Sequence, residues 1–213
     1  ATMLMDAGRL AEAEELFRER LAARRKEGGA RAPKTLVALV NLATNLYTQG
    51  KHAAAELLFR EAMEAFRAVS GDDNANTQIA VGALGRVLQE QGRLEEAEPL
   101  LVEAVAWGKK NGKKNGNNPD HICSLVELRR EQGRLAEAEE ELGSLVEECI
   151  RLDGPQHQLT LLAEATAARL KHAQADGAAA GQAELRAVVE RMGEFLGAAH
   201  QVTVKWRAVL DPM

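Results

Sequence analysis

Apolar residues recur every three or four positions along most of the chain, which is the spacing of amphipathic α-helices. No stretch alternates for long between apolar and polar residues, as a half-buried strand would. Glycine, proline and asparagine interrupt the pattern at intervals and mark turns. The pattern predicts an all-α chain of about ten helices in antiparallel pairs. The segments expected to be helical are 1–7 (the end of a helix), 10–28, 35–49, 54–69, 79–88, 94–107, 119–128, 135–152, 159–173, 183–196 and 201–210.

A nine-residue stretch that begins at Gly92, G-R-L-E-E-A-E-P-L, recurs along the chain. Related stretches begin at Gly8, Gly50 and Gly133, so the steps are 42, 42 and 41 residues, and a weaker echo surrounds Ala183. A fixed period of this length is typical of repeat proteins. We therefore expect one array with a partial first repeat over 1–33, repeats over 34–74, 75–118 and 119–154, a degenerate repeat over 155–198, and the start of a further helix over 199–213.

The second helix of each repeat carries a small residue and, four residues later, a bulky one. The small side chain lets two helices approach closely, and the bulky one fills the gap against the next pair. One helix pair cannot bury its apolar stripe alone, so neighbouring pairs must stack into a curved solenoid. The small residues are Ala13, Ala55, Ala97 and Ala138, and the bulky ones are Phe17, Phe59, Leu101 and Leu142.

These features resemble the tetratricopeptide repeat, in the 42-residue form found in kinesin light chains. The first helix of that family carries an Asn-Leu-Ala element, matched by L-V-N-L-A over Leu39–Ala43, and the second carries the glycine-led stretch described above. The family's His-Pro-Asp entry is echoed by His121 beside Pro119 and Asp120. The resemblance implies a right-handed superhelical α-solenoid of antiparallel helix pairs. It also implies that the first helices line a concave groove in which a peptide or partner segment binds.

By alignment with this family, side chains on the first helices are candidates for the peptide groove. Arg86 and Arg130 could each bind a peptide carboxylate, or be solvated or paired with Glu90 and Glu127. Asn41 could hydrogen-bond a peptide backbone or pack between helices. The full set of candidates is Val37, Val40, Asn41, Thr44, Tyr47, Ile79, Arg86, Gln89, Glu90, Cys123, Glu127 and Arg130.

Net charge and local composition argue against nucleic acid or a membrane as partner. The net charge is −5 and the pI about 5.7, whereas nucleic-acid-binding domains carry basic stripes. Four lysines, Lys109, Lys110, Lys113 and Lys114, lie in the Gly108–Asn118 segment, which we interpret as an exposed loop because it has no apolar residue. No apolar run approaches the ~18 residues that span a bilayer.

The cysteines and histidines are not spaced like metal ligands or catalytic groups. Cys123 and Cys149 form no C-x-x-C pair and are expected to be free thiols in a reducing compartment. Cys123 falls on the groove face, but no neighbour in sequence would activate it. His52 stands where leucines pack in other repeats, which favours a packing role. Without a phosphate loop or a nucleophile motif, we expect no catalysis, cofactor or metal.

The sequence therefore predicts a cytoplasmic, non-catalytic scaffold that binds a protein or peptide ligand in its groove. Two alternatives stay open at this point. One is end-to-end self-association of truncated repeats, and the other is a regulatory segment of a larger signalling or enzymatic protein.

Overall fold

The computed structural model describes residue 5 and residues 8–111, 119–143, 145–174, 177–198 and 200–210. Within these residues the structure consists of helices joined by short turns and contains no strand. The chain divides into two compact units, Ala1–Asn117 and Asn118–Met213. Both units are built from antiparallel helix pairs, which confirms the predicted all-α solenoid class.

Helices of the first unit pack in sequence, each against the next, and α2 also contacts α4. In the second unit α9 is central, because it contacts α6, α7, α8, α10 and α11. The first unit contains α1 (Leu10–Gly28), α2 (Pro33–Thr48), α3 (His52–Ser70), α4 (Ala75–Glu90) and α5 (Leu94–Asn111). The second contains α6 (Pro119–Glu131), α7 (Leu135–Leu142), α8 (Leu145–Asp153), α9 (Gln158–Ala173), α10 (Ala178–Phe195) and α11 (Gln201–Leu210).

Three first helices end at the glycine that opens the repeated stretch. Gly50, Gly92 and Gly133 have φ angles of 74°, 75° and 76°, in the left-handed region that only glycine adopts without strain. The backbone N–H of Lys51 then donates to the carbonyl oxygen of Leu46 at 2.9 Å, which satisfies a helix-end carbonyl in a Schellman motif. The recurring glycine of the sequence is thus the turn between the two helices of a pair.

A buried threonine ties three of the first helices to the preceding turn. The hydroxyls of Thr35 and Thr77 donate to the carbonyl oxygens of glycines six residues earlier, at 2.9 and 2.8 Å. Thr160 of the second unit makes the same bond at 2.7 Å. Because the threonine is buried, this bond satisfies a buried polar side chain and fixes the start of the helix against the turn before it.

The core of the first unit follows the small-and-bulky pattern. Ala55 and Ala97 are completely buried, and the bulky Phe59 and Leu101 are 2% and 0% exposed. Helices α4 and α5 meet so closely that a Cβ atom added at Gly85 would lie 2.9 Å from Cγ of Leu101. The small residues therefore set the distance between helices, as the sequence pattern predicts.

One expected helix is wrong in the second unit. The segment 135–152 does not form a single helix, because α7 ends at Leu142 and α8 begins at Leu145. Gly143 has φ of 39°, and its N–H donates to the carbonyl oxygen of Glu139 at 2.9 Å, which ends α7. Leu142, the expected bulky core residue, is consequently only half-buried.

The small position of the degenerate repeat is also shifted from its expected place. Ala183, which the echo aligns with Ala138, is exposed. Gly181 is buried instead, and a Cβ atom added there would lie 2.4 Å from the backbone nitrogen of His172 and 2.7 Å from the carbonyl oxygen of Ala168. Helices α9 and α10 thus cross backbone to backbone at a glycine, two residues before the alanine that the sequence suggested.

Helix α5 is longer than the sequence pattern indicated. Gly108–Asn111, expected in a loop, form its last turn, and Asn111 donates a side-chain hydrogen bond to the carbonyl oxygen of Trp107 at 2.9 Å. The remainder of the lysine loop, residues 112–118, lies outside the described residues. So does the helix end expected over Ala1–Ala7, apart from Met5, which is helical.

An ion pair replaces leucines inside the second unit. Arg129 occupies the position that Leu46 and Leu88 hold in the first unit, since the carbonyl oxygens of all three accept the hydrogen bond that closes the glycine turn. Its guanidinium lies 3.0 Å from the Glu141 carboxylate, and the two side chains are only 11% and 15% exposed. Glu141 stands 41 residues after Leu100, which is the repeat step between Gly92 and Gly133, so it takes the place of a leucine of the preceding repeat. Desolvation offsets most of the attraction in such a pair.

We expect Gly181→Ala to lower the free energy of unfolding by about 1–3 kcal/mol, because the backbone atoms it would meet cannot move aside. Gly193→Ala in the same helix is the matched control, since its added methyl would meet only the flexible end of Arg207, at 2.8 Å. Both changes gain up to about 1 kcal/mol of helix propensity. Urea unfolding followed by circular dichroism compares them, and equal stability of the two variants would contradict the close crossing.

Replacing both Arg129 and Glu141 by leucine should keep or raise the free energy of unfolding, because two apolar side chains avoid the desolvation of the charges. Glu141→Leu alone should lower it by about 1–3 kcal/mol, since among the described residues the guanidinium would then have Glu137, at 3.9 Å, as its one counter-charge. Urea unfolding of both variants is the measurement. A double variant less stable than the single one would show that the charged pair itself stabilises the unit.

Candidate functional site

Helices α2 and α4 of the first unit contact each other and present one common row of side chains. Val37 of α2 and Ile79 of α4 stand at equivalent positions 42 residues apart and are 40% and 43% exposed. Positions three and four residues apart share one side of a helix, so the row continues along both helices. We call this surface the first-helix face; it consists of Val37, Val40, Asn41, Thr44, Tyr47, Ile79, Arg86, Gln89 and Glu90.

Three predicted groove residues meet at one end of the first-helix face. The Tyr47 hydroxyl donates to Oε1 of Glu90 at 3.2 Å. The Arg86 guanidinium carbon lies 5.3 Å from the centroid of the Tyr47 ring, within the range of a cation–π contact. His52 packs edge-on against the same ring, 5.6 Å between centroids, in the packing role expected for it. Gln89 beside this cluster is half-buried. The cluster therefore combines an aromatic ring, a cation and a carboxylate.

The other predicted residues of α2 differ in how far they are available to a ligand. The Thr44 hydroxyl is exposed but already donates to the carbonyl oxygen of Val40 at 2.9 Å. Asn41 is half-buried on the face. The asparagine that packs between helices is Asn45, which is completely buried, and sequence reasoning missed it. Asn41 thus remains a candidate for contact with a ligand.

A buried carboxylate joins consecutive repeats behind this face. Glu14, only 9% exposed, accepts hydrogen bonds from Nε2 of Gln49 at 2.8 Å and from Nζ of Lys51 at 2.7 Å. The hydrogen bond from Lys51 is the main cause that lowers the pKa of Glu14. Part of the acidic charge of the second helices is therefore structural.

The same bond recurs in the next repeat. Glu56 accepts from Gln91 at 2.9 Å and from Arg93 at 2.8 Å. Burial alone would raise the pKa of the Glu56 carboxyl. Hydrogen bonds from Gln91, Arg60 and Arg93 outweigh burial, so the pKa is lowered. In the second unit Gln174 donates to Glu139 in the same way. A glutamate of one repeat is thus bound by a glutamine of the next.

The structure corrects the place of Cys123 in the second unit. Cys123 was expected on an exposed groove face, but it is 3% exposed because α9 packs over α6. Burial raises the pKa of its thiol to about 12, although a hydrogen bond with Thr166 acts in the opposite direction. Cys149 is also buried, and both cysteines are free. Cys123 is therefore neither a reactive thiol at neutral pH nor a contact for a ligand.

Glu127 and Arg130 of α6 are half-buried and bound to each other. Nε of Arg130 donates to Oε2 of Glu127 at 2.9 Å. A second guanidinium, that of Arg169 on α9, lies 2.8 Å from the same oxygen. Of the two possibilities derived from the sequence for Arg130, the structure shows the pairing with Glu127.

The described part of the chain holds no group of three His, Cys, Asp or Glu side chains placed to bind a metal ion. Among those same residues, no helix combines the length and the apolar character needed to cross a bilayer.

Antiparallel helix pairs, glycine turns at Gly50, Gly92 and Gly133 and a close-packed small residue in the second helices define an α-solenoid repeat protein. The tetratricopeptide repeat family model matches residues 1–68 and 49–110, so it covers about half of the 213 residues. The chain belongs to the tetratricopeptide repeat family.

Solved structures of kinesin-light-chain-like repeats share this fold. A putative kinesin light chain from Podosopora anserina, with nearly identical TPR-like repeats, has a TM-score of 0.66 at 21% identity, covering 91% of this chain and 92% of that chain. A variant form of it gives 0.67 at 20%, with 91% of each chain covered. BtubC (BKLC) from P. vanneervenii gives 0.61 at 17%, covering 96% of this chain and 92% of that one. No curated protein sequence matches the chain.

We expect the carboxylates of Glu14 and Glu56 to make stability depend on pH. Their pKa values are lower in the folded than in the unfolded chain, so their contribution is fully present above the ordinary value of about 4.3 and is lost as pH falls through the lowered pKa. Changing both to glutamine should lower the free energy of unfolding at about pH 7 by roughly 1–3 kcal/mol and reduce its further fall toward about pH 3.

Urea unfolding at the two pH values measures this effect. Glu64→Gln on the exposed side of α3 is the control and should leave both values within about 0.5 kcal/mol of the parent. An undiminished pH dependence in the double variant would mean that these two carboxylates do not cause it.

Proposed function

We propose that this chain is a non-catalytic scaffold whose first-helix face binds a peptide or a segment of a partner protein. The observation that carries the proposal is the exposure of Val37 and Ile79 at the same position of two consecutive repeats. Apolar side chains that stay exposed together are available to a partner and not needed for packing between repeats. Tetratricopeptide repeats are generally protein-interaction scaffolds, which supports the same conclusion.

The first-helix face has the length and the chemistry to bind an extended segment. Val37 and Tyr47 lie ten residues apart on α2, which is about 15 Å along the helix axis. An extended chain covers that distance in about five residues. An apolar side chain of the bound segment would pack on Val37 and Ile79, and a polar side chain of the same segment would reach Tyr47 and Arg86. The preformed shape of the first-helix face then supplies binding affinity. The polar side chains at one end of the face fix the direction in which the bound segment lies.

Further parts of the proposal concern the second unit and the setting. Glu127 and Arg130 form a separate polar patch there that could also contact a partner, whereas Cys123 is excluded by its burial. The free, buried Cys123 and Cys149 suit a reducing compartment, so we propose a cytoplasmic location. The net charge of −5 favours proteins over nucleic acid as partners.

Peptides selected from a random library on the unmodified chain provide the test. Isothermal titration should show that Val37→Asp with Ile79→Asp weakens their binding by about tenfold or more, because a carboxylate would have to be desolvated under the guest. Leu57→Asp is the matched control, since Leu57 is an apolar side chain, 69% exposed, on α3 and outside the first-helix face. Thermal melts of all variants verify that each one folds. Unchanged affinity in the double variant, or an equal loss in the control, would reject this face as the binding surface.

A further inference from the structure

Two large apolar side chains stay exposed at one edge of the second unit. Phe195, the last residue of α10, is 46% exposed, and Leu152, near the end of α8, is 52% exposed. Each stands two residues before a glycine of positive φ, Gly154 at 89° or Gly197 at 97°, so the two hold equivalent places in consecutive repeats. Exposed aromatic and aliphatic side chains mark surfaces where proteins meet. The other phenylalanines of the chain are at most 3% exposed: Phe17, Phe59 and Phe66.

Carboxylates accompany both apolar side chains. Asp153 follows Leu152 in the chain and Glu194 precedes Phe195, and both carboxylates are exposed. Glu190, one turn before Glu194 on α10, is exposed as well. Within the described residues, neither glutamate side chain makes an ion pair or a hydrogen bond. This edge of the second unit is therefore both apolar and acidic.

Two arginines close to these carboxylates are already paired within the unit. The Arg191 guanidinium lies 2.8 Å from the Glu164 carboxylate, and Arg151 lies 3.8 Å from Glu148. Nδ1 of His157, 4.0 Å from the aspartate, accepts a hydrogen bond from a backbone N–H and so brings no proton to it. We call the surface that these contacts leave open the second-unit edge; it consists of Leu152, Asp153, Glu190, Glu194 and Phe195.

The turn between α1 and α2 carries the opposite charge. Residues 24–34 contain five Lys or Arg and one acid, Glu27, which lies 2.8 Å from Arg24. Arg25 lies 2.9 Å from Glu61 of α3. The other three cations are exposed and have no ion pair within the described part of the chain. We call them the basic turn: Lys26, Arg31 and Lys34.

The corresponding turn one repeat later has no such excess of charge. Asp72 lies 2.9 Å from Arg67, and Asp73 lies 3.8 Å from Lys110, so that turn balances its own charges. In the first turn, the bond that ties α2 to the turn comes from the Thr35 hydroxyl. The cations of the basic turn are therefore not needed to hold the repeat together and are available to a partner.

We propose that the basic turn of one copy of this chain binds the second-unit edge of another copy. The cations lie against the three carboxylates, and their aliphatic stems cover Leu152 and Phe195. A cation over the phenylalanine ring adds a cation–π contact. The occupant is a second copy because the chain is itself asymmetric in charge: residues 1–117 hold 17 Lys or Arg and 16 Asp or Glu, and residues 118–213 hold 10 and 16. No residue of the first-helix face takes part in this contact.

Sedimentation velocity of the unmodified chain tests the proposal. Exposed ion pairs are weak and are screened by salt. We therefore expect a dissociation constant on the order of 0.1–1 mM at about 20 mM NaCl, and association at least about tenfold weaker at about 500 mM NaCl. The weight-average mass should rise above 23.1 kDa with increasing protein concentration at the low salt concentration.

Charge reversal on each surface identifies the contact. Lys26→Glu with Lys34→Glu, and Glu190→Lys with Glu194→Lys, should each weaken self-association by about tenfold or more, because like charges would meet. An equimolar mixture of the two variants should associate again, because the unchanged edge of the first variant meets the unchanged turn of the second. All four side chains are exposed, so both variants should fold, and circular dichroism verifies that they do.

Glu15→Lys with Glu95→Lys is the matched control. Both carboxylates are exposed and lie outside the two surfaces, so this variant should change the association by less than about twofold. A chain that stays monomeric at low salt, an equal loss in the control, or a mixture that stays monomeric would overturn the proposal. A monomeric chain whose basic turn binds a decaglutamate peptide would assign the turn to a different protein and would overturn it as well.

Discussion

The close approach of neighbouring helix backbones is the constraint on which the rest of this structure depends. Ala55 and Ala97 have no exposed surface, and α4 reaches α5 only because Gly85 lacks a side chain. At Gly181 the approach is tighter still, since the facing atoms belong to the backbone of α9. Because the helices are this close, the size of one side chain at a contact sets the position of a whole helix pair. Side chains that point away from these contacts are not needed for packing and remain available for other functions.

Most of the architecture could be predicted from the sequence because it is encoded in local periodicity. The helix pairs, the glycine turns at Gly50 and Gly92 and the alanine contacts all follow from spacing. Two of the misses share one cause, because a glycine in a sequence pattern can either end a helix or allow two helices to cross closely. Gly143 ends a helix that the apolar stripe would continue, and Gly181 replaces an alanine at a crossing that was sought at Ala183. Only the packing of the partner helix tells these two roles apart.

The candidate site was less accessible to sequence reasoning, because its contacts join distant residues. Family alignment placed Tyr47 and Glu90 on one face, but nothing in the chain indicates a hydrogen bond between residues 43 positions apart. Alignment also placed Cys123 on the surface, where the packing of α9 buries it. A repeat-wise search for paired polar residues would have found more. The glycine six residues before each of Thr35 and Thr77 is visible once the period is known.

The glutamate-to-glutamine bonds between repeats have a consequence for how the protein can be divided. Glu14 and Glu56 each accept a hydrogen bond from a glutamine 35 residues further along the chain. The hydrogen bonds of a repeat therefore extend past the residue at which its sequence period ends. A fragment cut between Glu56 and Gln91 would keep the half-buried carboxylate and its donor Arg60 but would remove the two donors from the next repeat, Gln91 and Arg93. Boundaries for expressing or grafting single repeats therefore belong after the following Gln-Gly-Lys or Gln-Gly-Arg segment, so that each excised piece carries its own counter-charge.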